Sequence, residues 1–232
     1  MSFINKIIKK INAIDGDDYL ITFVNPYSYL LLRKHESLVI GVDKIHIDGI
    51  LLVNLFHLIG LKKERKSFDM TSLAPIVFND CIRHSKSIYF IGSTDIAIEN
   101  FINTIKSEYN ELDIIGYRNG YFNTKNEKNN FINNLSKLEP NVVVVGMGTP
   151  HQEEFLIALK KAGWKGKGYT CGGFIHQTAL GINYYPKLYD KYNLRWLYRM
   201  VDEPILIKRY LLLYPVSVCL FIFDVIKYKL IK

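Results

Sequence analysis

The chain has 232 residues, of which 49% are hydrophobic, so it can bury a sizeable core and is not an intrinsically disordered chain. Thirty Lys and Arg residues against twenty-two Asp and Glu residues give a net charge of +8, which favours an anionic partner. Three scattered cysteines without Cys-x-x-Cys spacing argue against a disulfide framework and a zinc site, so we expect reduced thiols in the cytoplasm. The N-terminal segment has neither the apolar run nor the cleavage site that a secretory signal needs.

Strand-like and helix-like segments alternate along most of the chain. Apolar strands are predicted at 19–25, 44–47, 87–93, 112–122, 142–148 and 168–173. Helices are predicted at 28–37, 50–60, 95–109, 131–138 and 152–163. Near-continuous apolar strands that alternate with helices predict an α/β fold, with a mostly parallel sheet covered by helices on both faces. Ligands of such folds bind at the carboxyl ends of the strands.

The composition changes near residue 187. Residues 187–232 hold nine Lys or Arg residues and four Asp or Glu residues, so most of the net positive charge lies there. We therefore predict two parts, an α/β core at 1–187 and a basic, apolar C-terminal helical appendage at 188–232.

The most hydrophobic run of the chain is LLLYPVSVCLFIF, at 211–223. It is thirteen residues long, whereas a bilayer span needs about 20, so we expect that it does not cross a membrane alone. Lys208 and Arg209 precede it, a pattern that fits a segment lying in a membrane interface. The alternatives are packing on its own domain or against a partner in a homo-oligomer.

A Gly-rich turn follows the valine strand in VVVVGMGTPHQEEF. A dinucleotide fingerprint requires a third glycine at the position that His151 occupies, so a nucleotide-dependent oxidoreductase is disfavoured. Gly146 and Gly148 still suit a turn that faces a phosphate, and the amides of the following helix can hold an anion.

Polar residues follow three of the predicted strands. Asp48 and Gly49 lie between a strand and a buried helix. Asp48 is either an N-cap or a general base at the sheet edge, which helix amides would keep ionised. Asn25 ends the first strand and either binds a ligand or shapes a turn. Gln152 and Glu153 lie in the first turn of a helix, where acidic residues are favoured in any protein.

Two arginines of the appendage, Arg195 and Arg199, are spaced i, i+4 on one helical face. Together they could clamp a diphosphate. Alternatively, Arg199 pairs with Glu203 along the helix.

Several other site classes are disfavoured. The acidic motif at 15–17 has the form of a metal-binding Asp-x-Asp, but no partner carboxylates are identifiable, so we expect a solvated turn and no metal or cofactor. The histidines show no HExxH spacing, and neither a GxSxG elbow nor a P-loop is present. Neither a recognition helix nor an RNP-like aromatic strand supports a nucleic-acid partner.

The order of these motifs resembles that of the WecG/TagA/CpsF family of bacterial glycosyltransferases, from about residue 20 to about residue 212. The matching features are Asn25-Pro26, Asp48-Gly49, Gly92 at a strand end, G-x-G-x-P-x-Q-E at 146–153 and L-x-W-L-Y-R…E-P…R-Y at 194–210. The resemblance implies a Rossmann-like core and an inverting transfer, without a metal, of a sugar from a UDP-sugar donor to a polyprenyl-diphosphate-linked acceptor. It also implies an enzyme peripheral on the cytoplasmic face of the cell membrane that serves teichoic acid, capsule or exopolysaccharide synthesis.

The resemblance also implies roles for individual residues. Asp48 is implied as the catalytic base. The implied substrate-binding residues are Asn25, Gly49, Gly92, Gly146, Gly148, Gln152 and Glu153. The residues implied to meet the acceptor diphosphate or lipid headgroups are Arg195, Arg199 and Arg209.

The chain departs from the family pattern at several positions near the implied pocket. His151 stands where Lys is common before the Gln, and His176 stands near the position of a common Asp. Arg65 and Asp69 have altered spacing, and Arg195 precedes the Trp where Glu is common. Donor and acceptor therefore stay open, and the alternative is a non-catalytic, membrane-associated scaffold with a glycosyltransferase-like core.

Overall fold

The computed structural model describes residues 2–14, 16, 19–192 and 194–230, with only the backbone of Lys187 and Asp190. The predicted acidic turn at 15–17 therefore lies outside the described residues, apart from Gly16. The described part of the chain contains six strands: β1 (Leu20–Val24), β2 (Lys44–Ile47), β3 (Ile88–Gly92), β4 (Ile114–Arg118), β5 (Val142–Gly146) and β6 (Lys167–Thr170). All six fall within the predicted strand segments, apart from Lys167 at the start of β6.

The strands form one sheet in the order β2-β1-β6-β5-β3-β4, and every neighbouring pair is parallel. Alternate valines of β5 point to opposite faces, as the period of a strand requires. Val143 and Val145 pack into one hydrophobic core, and Val142 and Val144 pack into the other. The predicted α/β fold with a parallel sheet between helical layers is confirmed.

Twelve helices are present among the described residues: α1 (Phe3–Ile11), α2 (Pro26–Lys34), α3 (Glu36–Gly41), α4 (Ile50–Leu58), α5 (Leu73–Arg83), α6 (Asp95–Glu108), α7 (Lys125–Leu138), α8 (His151–Lys161), α9 (Phe174–Ala179), α10 (Lys187–Lys191), α11 (Arg195–Asp202) and α12 (Tyr214–Leu230). A 3₁₀ turn (Pro204–Leu206) and a π-helical turn (Arg209–Leu213) connect α11 to α12. Helices α1–α4, α7, α8 and α12 contribute to the core on one face, and α5, α6 and α9 contribute to the core on the other.

The C-terminal helix α12 is attached to the core by a partly buried ion pair. Asp224 accepts hydrogen bonds from Nε of Arg33 at 2.9 Å, from Nη2 of Arg33 at 3.0 Å and from the hydroxyl of Tyr29 at 2.9 Å. Phe221 packs edge-on against Phe56, with ring centroids 5.0 Å apart. The predicted apolar C-terminal helix is thus present and packed on the core, while the boundary at residue 187 stays a prediction.

The length of the apolar helix corrects one expectation. The helical stretch from Pro204 to Leu230 is 27 residues long, and 17% of its most apolar window is buried. By length and composition alone it is sufficient to cross a bilayer. The apolar run at 211–223 is shorter than the helical stretch that contains it, because the helix continues through polar residues at both ends.

Candidate functional site

A cavity of about 970 Å³ lies at the carboxyl ends of β1, β2, β5 and β6. Its floor is formed by residues at or just after these strand ends, among them Asn25, Asp48, Gly49, Gly148, Thr149, Thr170 and Gly172. Its wall is formed by the C-terminal segment, which runs from α11 through α12. The lining residues of this segment include Arg195, Trp196, Arg199, Arg209, Leu211, Tyr214, Pro215, Val218 and Cys219. The position at the strand ends is the one that the parallel sheet predicts for a ligand.

Asp48 lies on this floor and faces Arg65. Gly49 occupies the N-cap position of α4 with a φ of +83°, a conformation that glycine adopts readily. Asp48 is therefore not the N-cap residue, and the capping alternative does not hold. Its Oδ1 accepts a hydrogen bond from Nε of Arg65 at 3.1 Å.

The surroundings of Asp48 make it a stronger base than an ordinary aspartate. Burial raises the pKa of Asp48, with the charge of Arg65 as the largest opposing influence, and the charge of Asp69 raises it further. The Gly49 amide does favour ionisation, as expected from the sequence, but its effect is smaller than that of burial. The side chain keeps 29% exposure, and because it lines the cavity, it faces the cavity's confined interior.

Asp69 joins Arg65 to the wall. Its Oδ2 accepts hydrogen bonds from Oγ of Ser67 at 2.6 Å, Nη1 of Arg195 at 3.1 Å and Nη2 of Arg65 at 3.3 Å. Burial opposes ionisation, but hydrogen bonds from Ser67 and Thr71 and the two arginine charges hold the pKa of Asp69 below its ordinary value. Asp69 is thus an anion that holds both cations beside Asp48.

All three predicted arginines line the cavity. Arg199 donates from Nε and Nη2 to Oε1 of Glu203, at 3.2 and 2.9 Å, so the pairing expected from their spacing is present. The guanidinium of Arg195 lies 4.9 Å from the ring centroid of Tyr185. That of Arg209 lies 4.0 Å from the ring centroid of Tyr27. The wall therefore carries three cations toward the cavity.

Gln152 and Glu153 lie at different depths. Gln152 lines the cavity, and its Oε1 accepts a hydrogen bond from the Gly172 amide at 3.2 Å. Glu153 is fully buried beneath the floor, where its Oε1 accepts hydrogen bonds from Thr22 at 2.7 Å, Thr149 at 3.1 Å and Gln152 at 3.2 Å. Burial raises the pKa of Glu153 despite these donors. Glu153 supports the floor and does not line the cavity.

The predicted glycines also divide into two groups. Gly148 lines the cavity with a φ of +74°, and no atom would meet a Cβ there within 4 Å, so its backbone is open to a ligand. Gly92 and Gly146 pair across β3 and β5, and a Cβ on Gly92 would lie 2.4 Å from the Gly146 carbonyl oxygen. These two glycines permit close packing of the strand ends and do not line the cavity.

Asn25 has the turn-shaping role that the sequence left open. Its Oδ1 accepts a hydrogen bond from the backbone N–H of Ser28 at 3.0 Å, and its own backbone N–H donates to Oγ of Ser28 at 2.8 Å. These two hydrogen bonds cap the N-terminus of α2. Asn25 also lines the cavity, beside Pro26. The first strand end therefore serves both the helix and the floor.

The sequence did not single out several residues of the site. Thr22 and Thr170 are buried, bond to each other at 2.9 Å and connect Glu153 to β6, while Tyr185 packs against Arg195. A threonine among apolar residues of a predicted buried strand was the available signal for the first two. No comparable signal marked Tyr185.

No group of three or more His, Cys, Asp or Glu side chains in the described parts of the chain is placed to hold a metal ion. The absence of a metal or cofactor stays a prediction. The floor offers backbone amides and a carboxylate, and the wall offers guanidinium groups and apolar side chains. This arrangement can hold a phosphate-bearing, partly apolar molecule and remove a proton from it.

Comparison with known proteins identifies the family. The model of the Glycosyl transferase WecG/TagA/CpsF family matches residues 1–231. A UDP-Gal:alpha-D-GlcNAc-diphosphoundecaprenol beta-1,4-galactosyltransferase of Shigella boydii is 38% identical over 204 residues, which cover 88% of this chain and 85% of the relative.

Two N-acetylglucosaminyldiphosphoundecaprenol N-acetyl-beta-D-mannosaminyltransferases are also similar. The protein of Bacillus spizizenii is 25% identical over 174 residues, covering 74% of this chain and 65% of the relative. That of Bacillus subtilis is 27% identical over 122 residues, covering 53% of this chain and 46% of the relative. The match to these two thus spans less than two thirds of their length. On the family match and the Shigella relative together, this chain belongs to the WecG/TagA/CpsF family of glycosyltransferases.

Proposed function

We propose that this chain transfers a sugar from a UDP-sugar to a saccharide carried on a polyprenyl diphosphate, with inversion at the anomeric carbon. UDP-galactose is the first donor and GlcNAc-diphosphoundecaprenol the first acceptor to consider, because the name of the 38% identical relative specifies both. The products would serve a cell-surface polysaccharide such as capsule, exopolysaccharide or teichoic acid.

One observation carries the proposal: a single cavity joins a carboxylate to cations and then to an apolar wall. Asp48 lies on the floor, Arg199 and Arg209 line the wall, and Leu211 and Val218 continue it. A lipid-linked saccharide has the same order of chemistry, from hydroxyl groups through a diphosphate to a hydrocarbon chain. Guanidinium groups match phosphate geometry, and the apolar residues match the first isoprene units.

The mechanism assigns the proton transfer to Asp48. Its carboxylate takes the proton of an acceptor hydroxyl, whose oxygen attacks the anomeric carbon of the donor from the face opposite UDP. The new glycosidic bond forms as the bond from the anomeric carbon to the UDP oxygen breaks, which inverts the configuration and releases UDP. The pKa of Asp48, raised by burial, favours this role, because a stronger base accepts the proton more readily.

Charge develops on the departing diphosphate, and the site offers groups that stabilise it. Gly148, whose backbone is open, and the amide side chain of Gln152 line the floor, and we assign the donor diphosphate to them. Arg65 and Arg195, the two cations that Asp69 holds, line the same cavity. Preorganised donors of this kind contribute several kcal/mol to related reactions.

The C-terminal segment would hold the enzyme at the cytoplasmic face of the membrane. Its outward face is apolar, with Leu212, Phe223 and Ile226 all more than half exposed. An exposed apolar stripe next to Lys208 and Arg209 is typical of a helix that lies in a membrane interface. A homo-oligomer that buries the same stripe is the competing arrangement.

The test is acceptor-dependent UDP release in detergent, with GlcNAc-diphosphoundecaprenol and a panel of donors. The panel holds UDP-galactose, UDP-glucose, UDP-glucuronate, UDP-N-acetylmannosamine and its uronic acid. Release with one donor that is lost in Asp48→Asn would establish the reaction and name the sugar. If a folded protein that binds anionic vesicles releases no UDP with any of these donors, the result would favour the non-catalytic scaffold.

A further inference from the structure

Helix α4 carries two apolar faces, although packing on the core needs one. Leu52, Val53 and Phe56 point inward and are buried. Leu51 and Leu58 lie on another face and are 39% and 83% exposed. Leu55 lies between them at the i, i+4, i+7 spacing of a continuous stripe, is partly buried and packs in part against the core. Leu58 is the most exposed member of this stripe, which makes the outward face of α4 a candidate surface for a partner outside the core.

The loop that follows α4 is basic. Lys62, Lys63 and Lys66 are exposed, and Glu64 is the acidic residue among them. A leucine stripe that ends in exposed lysines has the charge and polarity of a helix that contacts anionic lipid headgroups. A protein partner of unspecified charge would not require this combination.

The stripe is continuous with the mouth of the cavity. Ile50 and Leu51 line the cavity together with Leu211 and Val218 of the C-terminal segment. Farther along, α4 meets α12 through the edge-on contact of Phe56 with Phe221. The two helices are therefore neighbours, and each has an exposed apolar stripe.

We propose that the outward face of α4 and the loop after it form a second lipid-contact surface, on the core itself, that binds an anionic bilayer. We call this the α4 surface and define it by Leu55, Leu58, Lys62 and Lys63. It rests on the proposed function in one respect, since the bilayer is the source of the lipid-linked acceptor. With lipid contact on both sides of the mouth, the polyprenyl chain stays in the bilayer while its saccharide reaches Asp48.

The test is co-sedimentation of the full chain with phosphatidylcholine vesicles, with and without phosphatidylglycerol. Leu58→Glu and the double variant Lys62→Glu/Lys63→Glu are each expected to weaken binding to the anionic vesicles at least about tenfold. The double variant removes two surface cations, each of which contributes a severalfold increase in affinity. Leu58→Glu removes an apolar side chain from the surface and adds a charge that anionic lipid repels. Ile76→Glu on α5, which changes a side chain that is 63% exposed, is the matched control and should bind as the unchanged chain does.

A second measurement separates this proposal from the proposed function. Leu58 does not line the cavity. Leu58→Glu should therefore keep turnover on a short-chain, water-soluble acceptor and lose it on an acceptor embedded in vesicles. Vesicle binding that is lost in Leu58→Glu while the unchanged chain shows no turnover would support the α4 surface and contradict the proposed function.

Three outcomes would overturn the α4 surface. The first is that the unchanged chain does not bind anionic vesicles, and the second is that Leu58→Glu binds them equally well. The third is a dimer, seen by light scattering without lipid, that Leu58→Glu dissociates. That result would assign the stripe to a second copy of the chain.

Discussion

The floor of the cavity is built from buried, hydrogen-bonded strand ends, whereas its wall is built from helices with few buried residues. Thr22, Thr170, Gln152 and Glu153 are all buried and connected by hydrogen bonds in and beneath the floor. In contrast, none of the residues of α11 or of the π-helical turn is buried.

This difference separates two requirements of the proposed reaction. A base must be held within a fraction of an ångström of its target, and rigid, well-packed surroundings provide this. Cations that bind a flexible lipid diphosphate tolerate looser support, and weakly buried elements open at low free-energy cost. We therefore expect substitutions in the floor to change the chemical step or the stability, and substitutions in the wall to change substrate binding.

The largest effect is expected from Asp48→Asn. The amide cannot accept the acceptor proton, so kcat should fall by about 10²–10⁴. The variant keeps the size of the side chain, and its thermal unfolding should stay close to that of the unchanged chain. Steady-state UDP release provides the measurement, and a folded Asp48→Asn protein with full turnover would exclude Asp48 as the base.

The next largest effect should come from Glu153→Ala. It leaves the hydroxyls of Thr22 and Thr149 and the amide of Gln152 without their shared acceptor in a buried site. We expect the free energy of unfolding to fall by about 1–3 kcal/mol. Glu153→Gln is the matched control, because it retains a carbonyl oxygen and should be less destabilised. Urea unfolding of both variants measures the difference, and equal stability would show that the hydrogen bonds beneath the floor contribute little.

In the wall, Arg209→Ala should raise KM for the acceptor about tenfold and leave kcat nearly unchanged, because it removes the proposed charge-assisted contact to the diphosphate. Arg83→Ala, an exposed arginine on α5 outside the cavity, is the control. A fall in kcat at constant KM would instead assign Arg209 to the chemical step and would remove the proposed distinction between floor and wall.

The smallest effect at neutral pH is expected from Arg65→Gln. Asp48 acts in its anionic form, so kcat/KM is lost as the pH falls through the pKa of Asp48. Arg65 lowers this pKa. Its removal should therefore move the acidic limb of the pH profile to higher pH. An unshifted or downward-shifted limb would contradict the electrostatic role of Arg65 or the assignment of Asp48.

The sheet could be predicted from the sequence because its strands are short, apolar and separated by helices of regular period. Helices α1, α3, α5 and α9 were not predicted. Helix α3 has six residues and α9 has six, lengths at which periodicity carries little information. Helix α1 buries Phe3, Ile4, Ile7 and Ile11, whose spacing is that of one helical face. This spacing could have predicted the helix, but the segment was assessed only as a possible secretory signal.

The floor could be predicted in part. Motif order selected Asp48, Gln152 and Gly148, which the structure brings to one cavity. The depth of Glu153 and the packing of Gly92 against Gly146 could not be predicted, because both depend on contacts between elements distant in sequence. Arg65 and Asp69 were noticed only as departures in spacing, and their contact with Asp48 follows from the path of the loop after α4.

The ion pair of Asp224 with Arg33 has a consequence for how the chain is made. The two residues are 191 positions apart, so their contact cannot form until nearly the whole chain has been synthesised. Until then, Arg33 lacks the carboxylate that it holds in the folded protein. Once the pair forms, inserting α12 across a bilayer would require either breaking it or moving the charges into hydrocarbon, and both are costly. The ion pair therefore opposes insertion of α12 into the membrane interior and favours the packing of α12 against the globular part of the protein.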